Sequence, residues 1–184
     1  MIIAFFGIAC VGKTTVGKIV ADELHYDFFD LDDEMKRYYN DTIENIQRGC
    51  IRNTLDTKKA LVLKDVLDKC IDNAVIAMSP IYYTVKYKLL FRNNNVFSIV
   101  LQDSPENIVK RLVYTDDYDI VIENPERDYK AELKDIRYFI SRYKRAFDRI
   151  EHKYFIDGKA ANVATNEIIE TIIKPYYAAN MIKE

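Results

Sequence analysis

Tryptophan is absent from this chain, and glycine, proline, cysteine and histidine are scarce: five, four, three and two in 184 residues. So little glycine and proline excludes collagen-like repeats and long flexible linkers. Three cysteines, Cys10, Cys50 and Cys70, form no C-x-x-C pair and are odd in number. A disulfide framework or zinc site does not fit them, and a reducing cytoplasm is the expected location. His25 and His152 have no ligand partners nearby in sequence and read as surface or helix-end residues. Charge of one sign is not in excess either: 27 basic against 29 acidic residues, net −2. That balance points away from a general nucleic-acid binder. No apolar run is long enough for a membrane span. The apolar start, Met1 to Phe6, reaches Gly7 at once without a basic flank, and reads as a buried first strand. There is no internal repeat. The length suits one domain, residues 1–184, with a sizeable core.

What is present is Gly7-Ile8-Ala9-Cys10-Val11-Gly12-Lys13-Thr14, a match to G-x-x-x-x-G-K-[ST]. Ahead of it, Ile2 to Phe6 is an apolar run of strand length; behind it, Val16, Ile19, Val20 and Leu24 make a helical apolar stripe. This is the strand–loop–helix frame in which loop amides and a helix N-terminus cradle phosphates. The expected nucleotide contacts are Gly7, Ala9, Cys10, Val11, Gly12, Lys13, Thr14 and Thr15. Lys13 would reach the β- and γ-phosphates of ATP, and the Thr14 hydroxyl would ligate Mg²⁺.

Further strands are expected near residues 27–30, 74–78, 96–101 and 153–156. Helices are expected over Lys13–Leu24, Asp32–Tyr39, Thr42–Arg48, Asn53–Asp72, Tyr82–Arg92, Pro105–Tyr114 (capped by Ser104), Glu126–His152 and Val163–Ile173. The last of these should stop before Pro175 and leave Tyr176 to Glu184 loosely attached. Thr115 to Pro125 carries Asp116, Asp117, Asp119 and Glu123 with weak helical patterning, and reads as a mobile segment. Strands alternating with helices predict a three-layer α/β fold. Its five-stranded parallel sheet is flanked by helices, and the ligand site lies at the carboxyl ends of the strands.

Several motifs outside the loop carry a resemblance. Lys13-Thr14-Thr15-Val16-Gly17, Phe28-Phe29-Asp30-Leu31-Asp32, Thr42 to Ile46 with Gly49 and Ile51-Arg52, and Val96 to Ser104 with Arg111-Leu112 resemble the shikimate kinase family of small P-loop kinases. The resemblance implies a P-loop NTPase fold, with Arg111 close to the nucleotide and Arg52 and Arg142 as anchors for the acceptor. It also implies a lid around residues 115–130. Two stretches depart from the family. Its Gly-Gly-Gly after the third strand aligns with Met78-Ser79-Pro80, and its lid arginine aligns with Asp119-Ile120-Val121-Ile122, which has no basic residue. Arg127 or Lys130 are the nearest replacements.

The chemistry is consistent with these residues. Phosphoryl transfer is mostly positioning and charge neutralisation. Asp30 is the candidate to hold Mg²⁺ with Thr14, and Asp32 the candidate to orient a substrate hydroxyl. The bland alternative for both is a cap or first-turn acid of the next helix, the expected place of Asp33 and Glu34. Arg142, Arg145 and Arg149 form either an anion site or a solvated helix face. Tyr82 and Tyr83 either line the acceptor pocket or pack half-buried. The expected function is ATP-dependent, Mg²⁺-assisted phosphorylation of a small hydroxylated metabolite, with Lys13 and Asp32 catalytic. Two alternatives stay open: a kinase of the same fold for a nucleoside, nucleotide or sugar acid, and a nucleotide-binding module with little catalysis. Neither a nucleic acid nor a membrane is an expected partner. The sequence leaves monomer and dimer open.

Overall fold

The computed structural model describes residues 1–184 except 71, 72, 83, 84, 117, 119, 124 and 182–184. Five strands form: β1 (Ile2–Phe6), β2 (Asp27–Asp30), β3 (Ala74–Ala77), β4 (Val96–Gln102) and β5 (His152–Phe155). They pair in parallel in the order β2-β3-β1-β4-β5. Successive side chains of a strand point to opposite faces. All five residues of central β1 are buried, so both faces of the sheet are covered. This is why β1 and β3 read as unbroken apolar runs and not as alternating ones.

The helices are α1 (Lys13–Leu24), α2 (Leu31–Tyr39), α3 (Ile43–Gln47), α4 (Arg52–Lys69), α5 (Val85–Asn93), α6 (Pro105–Lys110), α7 (Tyr129–Phe147), α8 (Ala161–Ile168) and α9 (Lys174–Met181). The buried side chains join in one core cluster. The descent of α1 onto the sheet depends on Gly17. A Cβ there would lie 2.9 Å from the Phe28 ring and force it aside. His25 ends α1 in a left-handed conformation, as a helix-end residue, while His152 lies in β5 against the Phe97 ring.

Several boundaries differ from the sequence expectation. Helix α4 ends at Lys69, and the end expected at residues 71 and 72 lies outside the described residues. Helix α6 stops at Lys110, where Arg111 and Leu112 switch to bonds onto Ile108 and Val109 three residues back. The acidic segment that follows makes an antiparallel bridge between Thr115 and Val121. Inside it, Asp116 Oδ1 accepts from the amides of Tyr118 and Ile120, each at 2.9 Å. A short carboxylate that bonds nearby amides competes with helix, which is why the pattern there is weak. Asp117 and Asp119 lie outside the described residues.

Helix α7 begins only after Asp128, whose Oδ1 caps the amides of Lys130 and Ala131. It ends at Phe147 and not at His152, because His152 pairs beside Ile99 in the sheet. As far as Met181 the C-terminal tail is helical and not loose, and residues 182–184 lie outside the described residues. A π-helical turn at Ile169–Ile173 leads directly into α9, which holds Pro175 in its first turn. The widened turn comes just before the residue whose missing N–H could not serve an α-helical bond. Tyr176 then stacks on Phe97 with ring centroids 3.8 Å apart, fastening the tail to the core.

Candidate active site

The carboxyl ends of the strands bring together the loop after β1, Asp30 at the end of β2, Met78 to Pro80 after β3, and Asp103 after β4. Gly7 has φ of 148°, and a Cβ on it would lie 2.7 Å from both the Leu101 carbonyl oxygen and Val11 Cγ1. Ala9 is exposed, and Cys10 takes a left-handed φ of 58°. Val11 is buried in the core, which leaves its backbone to face a ligand. Gly12 caps α1 with no side-chain acceptor, whereas α2, α6 and α7 are capped by Asp30, Ser104 and Asp128. The first amides of α1 are therefore free of any capping side chain, as an anion cradle requires. Thr15 is exposed at the same helix start.

Lys13 Nζ donates to the Ile8 carbonyl at 2.7 Å, folded over the loop. Burial pushes its pKa down, and the charges of Asp32 and Asp30 oppose that shift. Thr14 Oγ1 donates to Asp30 Oδ2 at 2.6 Å, while Asp30 Oδ1 accepts from the Asp32 amide at 3.0 Å and caps α2. The two readings of Asp30 are thus compatible: one oxygen caps the helix and the other faces the loop. Burial pushes the Asp30 carboxyl up, partly countered by the Thr14 hydrogen bond. Among the described residues no group of three or more His, Cys, Asp or Glu side chains is arranged to hold a metal. Thr14 and Asp30 nevertheless pair two hard oxygens beside the phosphate cradle. That set fits Mg²⁺, which takes one or two protein oxygens plus water and phosphate.

Asp32 faces a different neighbour. The Ser79 hydroxyl donates to its Oδ1. Beside this pair lies a residue that sequence reading missed. Lys59, on α4, is only 5% exposed and donates to the Pro80 carbonyl at 3.0 Å. Burial lowers its pKa, while Asp32 and Asp56 raise it. One signal was available: Lys59 heads the stripe Lys59, Val62, Leu63, Val66, whose other members are all buried. Met78-Ser79-Pro80 therefore supplies a hydroxyl to Asp32 and a carbonyl to Lys59. Asp33 and Glu34 pair with Lys36 and Arg37 along α2, as first-turn acids.

The arginines divide. Arg111 ion-pairs with buried Asp103 at 2.6 Å, and its own Nε is buried without a hydrogen-bond partner. Burial alone would raise the Asp103 carboxyl, but bonds from Asn107, Arg111 and the Ser104 amide hold it below the ordinary carboxylate range. Asp103 also reaches the Gly158 amide at 3.4 Å, joining the loop after β5 to α6. Arg142 bonds the hydroxyls of Tyr82 and Tyr138. Arg52 opens α4, but its side chain lies outside the described residues, as does Tyr83. Arg127 is already engaged. It grips Glu132 at 2.7 Å and the Val109 carbonyl at 2.7 Å, which ties the base of the acidic segment to α7. Lys130 is exposed in the first turn of α7.

A family description, shikimate kinase, matches residues 9–173. A shikimate kinase of Pseudoalteromonas atlantica is 26% identical over 150 residues, covering 68% of this chain and 88% of the relative. The crystal structure of a shikimate kinase from Bacteroides thetaiotaomicron superposes with a TM-score of 0.75 at 16% identity, over 92% of this chain and 97% of that one. A gluconokinase from Sinorhizobium meliloti shares the fold at a TM-score of 0.64 and 12% identity, over 99% and 97%. With the family's pattern running through the loop, the β2 end and the α6 start, this chain belongs to the shikimate kinase family.

Proposed function

We propose that this protein transfers the γ-phosphoryl group of ATP to a hydroxyl of a small metabolite. The observation that carries the reading is the Thr14–Asp30 contact at 2.6 Å beside Lys13, with Asp32 two residues on. Loop amides and Lys13 bind the triphosphate, which a buried ammonium holds more strongly than an exposed one. Thr14 and Asp30 hold Mg²⁺, which neutralises charge on the transferring phosphate. Asp32, fixed by Ser79, orients the acceptor hydroxyl and takes its proton. Arg111, braced by Asp103, forms the wall of the nucleotide side. Arg142 and Lys59 supply positive charge on the acceptor side, with Arg52 at the mouth of α4.

Residues 1–184 act in this reading as one domain, with a lid around 115–130, in a reducing cytoplasm. No helix among the described residues is long and apolar enough to cross a membrane. The acceptor is not assigned to shikimate. Ser79, Pro80 and Lys59 replace the glycine-lined approach, and the lid stretch 115–126 carries no basic residue. A fold shared with a gluconokinase is consistent with a different hydroxylated acceptor.

A coupled ADP-release assay over an acceptor panel tests the reading. Acceptor-dependent turnover is expected, and Lys13→Ala should lower kcat/KM by about 10²–10³-fold with the fold intact by circular dichroism. Unchanged nucleotide affinity in that variant would sink it. Tight ATP binding without turnover on any acceptor would favour the binding module instead.

A further inference from the structure

Arg142 and Arg145 stand one turn apart near the end of α7, and Arg149 follows in the turn just beyond it. Together with Tyr82, Ser141 and Ala146 they line one concavity of about 430 Å³. Among the described residues no carboxylate lines it. Two neighbouring cations of α7 are neutralised, Arg137 by Glu106 at 2.9 Å and Lys144 by Asp148 at 2.7 Å. Among the described residues, the Arg145 and Arg149 side chains have neither an ion pair nor a hydrogen bond. Arg142 is held in place, with its guanidinium 5.7 Å over the rings of both Tyr82 and Tyr138. Tyr82 in turn stacks on Tyr143 at 4.9 Å. One guanidinium and one aromatic wall are thus preorganised, and two guanidinia remain free to close on a ligand.

The concavity also sits close to the reacting end of the site. Tyr82 is three residues from Ser79, which holds Asp32. Three residues span at most about 11 Å of chain. A monocarboxylate offers two oxygens and one charge, enough for a single arginine fork. A phosphomonoester offers three oxygens and nearly two charges at neutral pH, the chemistry that several guanidinia on one face match. The geometry points to an acceptor that already carries a phosphomonoester, bound by Arg142, Arg145 and Arg149 while its hydroxyl faces Asp32. This rests on the kinase reading above and narrows its acceptor class to phosphorylated hydroxy-metabolites.

The test keeps the phosphate loop out of play. With the enzyme saturated by Mg²⁺ and a non-hydrolysable ATP analogue, D-ribose 5-phosphate, D-ribose and D-gluconate are titrated by calorimetry. Ribose 5-phosphate should bind at least about tenfold more tightly than either other probe. Arg145→Gln and Arg149→Gln should each remove about tenfold of that affinity, without changing affinity for the analogue. Equal binding of ribose and its phosphate, preferred binding of gluconate, or a phosphate preference that survives in the double variant would each overturn the proposal. Repeating the titration on nucleotide-free Lys13→Ala protein separates the two ideas. Arginine-dependent ribose 5-phosphate binding there supports the concavity even where nucleotide binding fails, and its loss overturns it.

Discussion

The hydroxyl of Ser79 bonds the carboxylate of Asp32, joining the segment after β3 to the first turn of α2 across 47 positions of sequence. It fixes which way the proposed hydroxyl-orienting carboxylate points. Asp32→Asn should lower kcat by about 10²–10⁴-fold with nucleotide affinity unchanged. Ser79→Ala should lower kcat by about 10- to 100-fold through misplacement alone. Steady-state kinetics with calorimetric ATP titration separates the two, and a Ser79→Ala enzyme with wild-type kcat would remove Ser79 from the site.

Asp30 carries a conflict between stability and function. Its pKa is raised mainly by burial, so the folded state disfavours the charge that the metal role needs. Asparagine caps helices as well as aspartate does. Asp30→Asn should therefore melt at the same temperature as wild type or a few degrees higher at pH 7, while activity falls and its Mg²⁺ dependence flattens. The sign follows from the raised pKa. Wild type should gain on the variant as pH falls through Asp30's raised value towards 3.8.

Lys59 titrates in the opposite direction. Its folded-state pKa is depressed below 10.5 by burial. Between that lowered value and 10.5 the unfolded chain binds the extra proton, so stability should rise with pH across the window. Denaturant midpoints between pH 7 and 10.5 should climb in wild type relative to Lys59→Met, which keeps the packing and loses the charge. Parallel curves would show that Lys59 is well solvated. The same variant should raise the KM of the acceptor more than that of ATP.

Arg127 is the nearest basic residue beyond the acidic segment, but its bonds to Glu132 and Val109 give it a structural task. Arg127→Ala should lower the melting temperature while kcat changes by less than about tenfold. An arginine that stabilises the transferring phosphate would cost 10³-fold or more. A loss of that size in single-turnover measurements would show that Arg127 leaves Glu132 during the reaction.

The donor half of the site was legible along the chain because its parts are contiguous. A phosphate cradle made of one strand end, one loop and one helix start is written in eight consecutive residues. Asp30 follows at the end of the next short strand. The central strands β1 and β3 were legible for a related reason, since an apolar run covered on both faces keeps its signature without any partner. Helix ends were less so. Asp116, Asp128 and the π turn before Pro175 decide them through local bonds and register shifts that periodicity does not carry.

By itself, then, the sequence determined a parallel α/β kinase frame and the loop proposed to hold the donor phosphates. The tertiary structure decided which side chains meet one another on the proposed acceptor side. Lys59 and Pro80 lie 21 positions apart, Asp32 and Ser79 47, and Tyr82 and Arg142 60. Each contact exists because sheet order and helix packing bring separate elements to one edge. The same packing binds Arg127 to Glu132 and the Val109 carbonyl. Backbone cradles are local, whereas pockets of side chains depend on where distant elements dock.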